Sequence, residues 1–303
     1  MIAEKFKQRI VEAIREEAAR WPSSTKHARA LGISPAQLSR IKRGDIDKVL
    51  SDSKWIHIAR RLGVDPEGGP EWKVARTPTF EYISNQLAFC QDYSVSAVLV
   101  DIPDIGKTFT AKYYVRTHPN AVYIDCSLTK SKQQLIRRIA REFGIEHTGR
   151  YADVFENLVW YLKSLDDPKP LIVLDEAGDL NEAAFLELKA LWNATEGYAG
   201  FYMMGADGLA AKIERGKERK KVGYAEIFSR YGDGFKRITP LEKNELKKFK
   251  IKQMKIVAKA NGLDLPAPEL YASTGGGLRR VFIEYKKQQR KKPEPKEVVI
   301  EKV

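Results

Sequence analysis

Asp101-Ile-Pro-Asp-Ile-Gly-Lys-Thr108 carries the second half of a phosphate-binding loop unchanged and the first half altered. Gly106-Lys107-Thr108 is the part that holds the β- and γ-phosphates of a nucleotide together with Mg2+. The complete pattern G-x-x-x-x-G-K-[ST] asks for glycine where Asp101 stands, and many such loops have another where Asp104 stands. Glycine serves there because backbone N–H groups must approach the phosphates closely, often from left-handed conformations. Asp tolerates such a conformation better than most residues. Its charge is the greater obstacle: a carboxylate ~4 Å from a phosphate opposes it by about 4 kcal/mol at an effective dielectric near 20. That equals about a thousandfold in affinity. Carboxylates turned away from the phosphates would cost little. The loop therefore predicts nucleotide binding that is weakened in proportion to where the two carboxylates point, and slow hydrolysis.

Working outward, Ala97 to Val100 reads as a buried strand leading into the loop and Lys107 to Thr117 as the helix after it. The alternation continues with a strand at Ala121 to Asp125, helices at Lys132 to Phe143 and Tyr151 to Ser164, and the apolar run Leu171-Ile-Val-Leu-Asp-Glu176. A helix at Asn181 to Leu191 and a strand at Gly200 to Met204 follow. This is the βαβ rhythm of a parallel sheet flanked by helices, an α/β P-loop core. An apolar strand ending in Asp-Glu is weak evidence by itself. Placed roughly 70 residues after a strand-borne Gly-Lys-Thr, it reads as a Walker B motif. Asp175 then helps Thr108 hold Mg2+. Glu176 is placed to orient and polarise an attacking water. Ile105 and Phe109 flank the loop's contact with the nucleotide, alongside Asp104, Gly106, Lys107 and Thr108. ATP and Mg2+ are thus the expected cofactors.

Before this core, Ile2, Phe6, Ile10 and Ile14 recur at four-residue steps, an amphipathic helix running to Trp21. In Ser24 to Gly44, Ala28 and Leu31 face a core, Gly32 permits a sharp turn, and Ser34-Pro35 caps and opens the next helix. Leu38 and Ile41 point inward, leaving Gln37, Ser39, Arg40, Lys42 and Arg43 outward. A further helix carries Trp55, Ile58, Ala59 and Leu62. Two short helices about a glycine turn, the second rich in Arg, Lys, Gln and Ser, form a helix-turn-helix pattern with DNA as the expected partner. A small helical domain without a nucleic-acid role is the plainer alternative.

Composition fits this reading. The 303 residues include 31% charged and 43% apolar, and the net charge of +13 favours a polyanionic partner over a merely basic surface. No apolar run approaches the ~20 residues that span a bilayer, and no signal peptide is evident, so a cytoplasmic protein without a membrane partner is expected. Cys90 and Cys126 lack metal-ligand spacing and read as buried thiols. The four histidines are scattered. The expected domains are 1–64 (helix-turn-helix), a linker at 65–78, the nucleotide-binding core at 79–240, a helical lid at 241–290 and a flexible basic tail at 291–303.

Two resemblances extend these readings. Leu31-Gly-Ile-Ser-Pro35 with Leu38-Ser-Arg-Ile-Lys-Arg-Gly44 resembles the λ-repressor and Cro type of helix-turn-helix. That likeness implies Ser34, Pro35, Gln37 and Arg40 nearest the major groove. The loop, Walker B, a further strand, an arginine-bearing loop and a helical lid resemble an AAA+ ATPase. The likeness implies an arginine finger at Arg230, just before a strand expected around Phe235 to Ile238, with Arg237 as a rival, reaching a neighbouring subunit's γ-phosphate in an oligomer. It also implies a sensor 2 arginine at Arg279 in Gly275-Gly-Gly-Leu-Arg279-Arg280, and sensor 1 at Asp207, where the family's polar residue is displaced by Ala206. In order of domains the chain is similar to the MuB transposition proteins, target-DNA activators of Mu-like transposons. That resemblance implies ATP-dependent duplex binding with little sequence preference, helical filaments of the protein itself, and delivery of target DNA to a transposase. The cluster Lys212, Arg215, Lys217, Arg219, Lys220 and Lys221 would then sit on backbone phosphates, or else be a solvated helix face. A replication initiator or helicase loader of the AAA+ type, and a helix-turn-helix regulator with a degenerate nucleotide site, are the alternatives.

Overall fold

The computed structural model describes residues 2–66, 72–232 and 234–291. Four helices open the chain: α1 (Glu4–Glu17), α2 (Ser24–Leu31), α3 (Pro35–Lys42) and α4 (Asp52–Leu62). Ser23, Ser34 and Ser51 cap the last three through hydroxyls that accept a backbone N–H, and Ser34 forms a reciprocal capping box with Gln37. Phe6, Ile10 and Ile14 of α1 close over Leu31, Leu38, Ile41, Trp55 and Ile58, one apolar cluster. The sequence periodicity predicts a helix to Trp21; the α-helix stops at Glu17 and a 3-10 turn covers Ala18–Arg20.

Helix α5 (Pro78–Tyr93) leads to β1 (Ser96–Val100), and α6 (Lys107–Thr117) joins it to β2 (Ala121–Asp125). Next come α7 (Lys132–Glu142), α8 (Tyr151–Lys163), β3 (Leu171–Asp175), α9 (Glu182–Ala194), β4 (Gly200–Gly205), α10 (Asp207–Glu218) and α11 (Tyr224–Arg230). The strands form one parallel sheet in the order β1-β4-β3-β2. Because helices cover both faces, β3 and β4 are buried throughout and, apart from Asp175 at the end of β3, apolar rather than alternating. One face packs Val98, Val122, Ile124, Ile172, Leu174 and Met203 against α7, α8 and α9; the other packs Leu99, Ala121, Val173 and Tyr202 against α5 and α6. Parallel register brings the end of β1, where the loop begins, and Asp175 at the end of β3 to the same edge of the sheet. Gly200 is required by close approach, since a Cβ there would lie 2.1 Å from the Cys90 carbonyl oxygen. Cys90 and Cys126 are both buried thiols, and burial pushes that of Cys90 up to about 12.

The N-terminal helices and the sheet belong to one compact unit. Arg61 of α4 pairs with Glu142 of α7 at 2.8 Å, Lys26 of α2 stacks over the Tyr161 ring at 3.9 Å, and Arg29 reaches the Gly144 carbonyl at 3.4 Å. The second unit holds α12 (Lys243–Ala260), α13 (Ala267–Thr274) and α14 (Leu278–Lys291), packed through Met254, Val257, Leu270, Val281 and Tyr285.

Two expectations need correction. The linker expected at 65–78 is not a free connection where it is described. Trp72 packs edge-on against Phe282 and Tyr285 (4.9 and 5.1 Å), and Lys73 exchanges backbone hydrogen bonds with the Asn261 carboxamide. Residues 67–71 of that span lie outside the described residues, as do 292–303 of the expected tail. The core begins with α5, whose Ile83, Leu87 and Cys90 line up at helical spacing. Finally, the strand expected around Phe235 to Ile238 is a single parallel bridge between Lys236 and Leu99. Lys236 makes both ladder bonds to β1, to Val98 and Val100, but the next donor, Ile238 N–H, goes to the Asp101 carboxylate instead of to the sheet.

Gly200→Ala is expected to destabilise the protein by about 1–3 kcal/mol through overpacking against α5. Thermal unfolding measures this, and an unchanged midpoint would show that the α5 end yields freely.

Candidate functional site

Asp101 is fully buried, and both its carboxylate oxygens are spent on the protein. Oδ1 accepts the Ile102 N–H at 2.8 Å, and Oδ2 accepts the Ile238 N–H at 2.7 Å. The Arg237 guanidinium lies 4.0 Å from Oδ1. The carboxylate thus replaces a β1 carbonyl in the ladder toward Lys236 and turns its charge to the sheet edge. Asp104 has φ of +67°. Its Oδ1 accepts the Arg279 N–H at 2.7 Å and its carbonyl accepts the Leu278 N–H at 3.0 Å, so it caps the first turn of α14. An anion at a helix N-terminus is favourable for the same reason a phosphate is. The charge that the sequence suggested would repel a nucleotide is engaged elsewhere at both positions.

In the second half of the loop, Gly106 has φ of +101°, a conformation open to glycine, and Ile105 is buried beside it. Lys107 is nearly buried, and its Nζ donates to the carbonyls of Asp101 and Ile102 at 2.6 and 2.7 Å. Burial holds its pKa below the ordinary lysine value, opposed by the carboxylates of Asp101, Asp175, Glu176 and Asp207. Thr108 Oγ1 donates to Asp175 Oδ2 at 2.6 Å. Phe109 is exposed at the start of α6.

Asp175 is the convergence point. Oδ1 accepts the Glu176 N–H at 3.0 Å, while Oδ2 accepts both Thr108 and the Tyr123 hydroxyl, the latter at 2.8 Å. A hydroxyl and a carboxylate at hydrogen-bond distance are the hard oxygen donors that Mg2+ takes, and a P-loop site needs only one or two carboxylates because substrate phosphates supply the rest. The absence of a three-ligand His/Cys/Asp/Glu cluster among the described residues is compatible with that donor set. Glu176 follows in a left-handed conformation, φ +50° and ψ +40°, a strained setting for a residue with a side chain. Burial, and then the neighbouring Asp175 charge, raise its carboxyl above the ordinary glutamate value. That shift moves a candidate general base toward the pH at which it works best.

The other predicted residues are more dispersed. Arg230 ends α11, donates to the Asn193 carboxamide and stacks over the Trp192 ring at 4.2 Å. Asp207 opens α10, close enough for its charge to act on Lys107. On α3, Gln37 was expected to face outward, but its carboxamide is committed on both sides. It accepts from Ser34 N–H and donates to the Val49 carbonyl at 3.1 Å. Ser34 is likewise occupied by capping. Arg40 pairs with Asp45 at 2.8 Å, whereas Arg43 is exposed and Lys42 half-buried. In the second cluster, Lys217 stacks on Phe228 (3.9 Å), Lys221 pairs with Glu182 (2.5 Å), and Lys212 donates to the Gly178 and Leu180 carbonyls behind Walker B. Arg219 and Lys220 are exposed at the end of α10. Tyr123 is the residue that sequence reasoning missed. Its only signal was strand alternation, which puts it on the face of Asp125.

Comparison with known proteins agrees with this architecture. The family described as "AAA domain" matches residues 92–213. That span contains Lys107, Thr108 and Asp175, and the fold around them is a parallel sheet flanked by helices, as in a P-loop core. Two relatives, the ATP-dependent target DNA activator B of Escherichia phage D108 and that of Escherichia phage Mu, are each 25% identical over 178 residues, 58% of this chain and 54% of theirs. The match therefore spans about half the length of these relatives. Among solved structures, the Aeropyrum pernix ORC1 protein in complex with DNA superposes with a TM-score of 0.53 at 16% identity, over 74% of this chain and 63% of that one. The ORC2 protein of the same organism, in ADPNP–ADP complexes, gives 0.50 at 17%, over 71% and 63%. These two likenesses concern the fold. Among the described residues no helix is long and apolar enough to cross a membrane.

Replacing Asp101 with glycine, as the complete loop pattern would have it, is expected not to tighten ATP binding. It should lower the unfolding midpoint, because the Ile238 and Ile102 N–H groups lose a charged acceptor worth about 1–3 kcal/mol. A gain in ATP affinity approaching a thousandfold, read by equilibrium titration, would restore the charge argument.

Proposed function

We propose that this chain is an ATP-driven DNA-binding protein of the MuB kind, which assembles on duplex DNA with little sequence preference and presents it to a transposase. The observation that carries the nucleotide part is the Thr108–Asp175 hydrogen bond at 2.6 Å, with Lys107 and Glu176 alongside. Thr108 and Asp175 would hold Mg2+, and the backbone from Asp104 to Thr108 together with Lys107 would hold the phosphates. A metal held there would supply charge neutralisation on the phosphate oxygens. Glu176, with its raised pKa, takes the part of the base that orients water. Arg230 is assigned as the finger, which requires it to leave Trp192 and Asn193 when a neighbouring copy approaches. Arg279 is assigned as sensor 2 and Asp207 as sensor 1.

The DNA part rests on the relatives' description as target DNA activators, on the net charge of +13, and on exposed cations. With Gln37 and Ser34 committed to capping, α3 has little left for reading base edges, and Arg40, Lys42 and Arg43 fit phosphates better. Arg219 and Lys220, with Lys217 and Lys221 beside them, would add further phosphate contacts. Such a surface grips the backbone more than the sequence, in keeping with weak preference.

Electron microscopy with duplex DNA tests the whole proposal. Filaments are expected with ATP, and neither without it nor with Lys107→Ala; discrete sequence-specific complexes indifferent to ATP would point to a regulator or initiator instead. The pH dependence of hydrolysis tests Glu176. A base must be ionised, so the rate should fall as pH drops through a midpoint above 4.5, the ordinary glutamate value. Glu176→Gln should abolish most turnover while leaving nucleotide binding in place, and full activity in that variant would remove Glu176 from the mechanism.

A further inference from the structure

The hydroxyl of Tyr123 reaches the same carboxylate oxygen as the hydroxyl of Thr108, and nothing in the sequence pattern of a P-loop site calls for it. We infer that Tyr123 is a positioning residue for the metal-holding carboxylate, fixing Asp175 for Mg2+ when nucleotide binds. The inference rests on reading Lys107, Thr108 and Asp175 as a nucleotide and magnesium site.

The sheet makes the contact possible. Tyr123 pairs in register with Val173, and Asp125 with Asp175, so these four side chains share the face covered by α6. Asp125 stands directly opposite Asp175, yet its carboxylate turns aside to the Ser127 N–H (3.0 Å) and hydroxyl (2.6 Å). Tyr123 instead spans the diagonal, a reach that aromatic side chains have across neighbouring strands. Its ring is overlain by Lys112 Nζ at 5.0 Å, from the helix that Lys107 begins. The phenol is therefore tied to both the Walker B strand and the helix after the loop.

A carboxylate has about four lone-pair positions. Glu176 N–H takes one on Oδ1 at 3.0 Å, and Thr108 and Tyr123 take two on Oδ2 at 2.6 and 2.8 Å, all within normal hydrogen-bond range. When the Thr108 hydroxyl turns to a metal, Tyr123 is the side-chain donor that still fixes the plane of Asp175. Outer partners of this sort orient metal-holding carboxylates, and their loss typically costs about 10–100-fold in metal affinity.

The test is Tyr123→Phe, which removes one oxygen and keeps the ring. A fluorescent non-hydrolysable ATP analogue is titrated into parent and variant across magnesium chloride concentrations and in EDTA. The magnesium concentration that gives half the gain in nucleotide affinity should rise about tenfold or more in the variant. Affinity in EDTA should stay put; the unfolding midpoint should fall by no more than one lost hydrogen bond, and a merely structural role would give that fall with the magnesium requirement unchanged. In an Asp175→Asn background the same exchange should add nothing, since the partner it acts through has changed. An equal or lower magnesium requirement in Tyr123→Phe overturns the inference and leaves the site reading standing. A parent whose nucleotide affinity ignores magnesium overturns that reading, and the role of Tyr123 with it.

Discussion

The carboxylate of Asp175 is the constraint around which the Gly-Lys-Thr loop and the ends of the central strands are arranged. It is almost wholly removed from water at the end of a central strand, where an unsatisfied charge would be costly, so every part of it must be engaged. The loop supplies Thr108, the next residue supplies its own N–H, and the edge strand supplies Tyr123. These donors converge only because β1, β4, β3 and β2 run parallel and end together. A slip of one residue between β2 and β3 would turn Tyr123 to the opposite face and leave Asp175 short of a partner.

The same economy explains the altered front half of the loop. Asp101 and Asp104 look like charges in the way of a phosphate, but each acts as an acceptor for backbone N–H groups that would otherwise go unpaired. Asp101 serves the segment after Arg230, and Asp104 serves the first turn of α14. Glycine at either position would free the backbone but leave those N–H groups without a partner. The chain thus keeps the Gly-Lys-Thr half of the motif and gives the other half to structure.

Much of this was legible in the sequence. The strands at Ala121–Asp125 and Leu171–Asp175 and the helix at Lys107–Thr117 follow from apolar runs, periodicity and the loop's own grammar, which are local signals. Thr108 and Asp175 could be paired from spacing because the motif itself encodes the contact. What escaped is nonlocal. The direction of the Asp101 side chain depends on Ile238, far along the chain, and no local pattern records it. Tyr123 reads as an ordinary strand aromatic until its register against Val173 is known. Gln37 looked free on an outward helix face, but its capping partner and the Val49 carbonyl consume it. Trp72 was hidden because the Gly and Pro residues before it suggested an idle linker, while its packing partners lie in α14.

The reading on which the proposed activity depends is a nucleotide site left intact despite the two aspartates. Thermal unfolding with and without a non-hydrolysable ATP analogue and magnesium tests it most directly, because a ligand that binds only the folded state must stabilise it. A clear rise in the unfolding midpoint is expected, equivalent to about 2.7 kcal/mol when ligand is at 100 times its Kd. The rise should vanish in Lys107→Ala. An unfolding midpoint that does not move at millimolar nucleotide would contradict it.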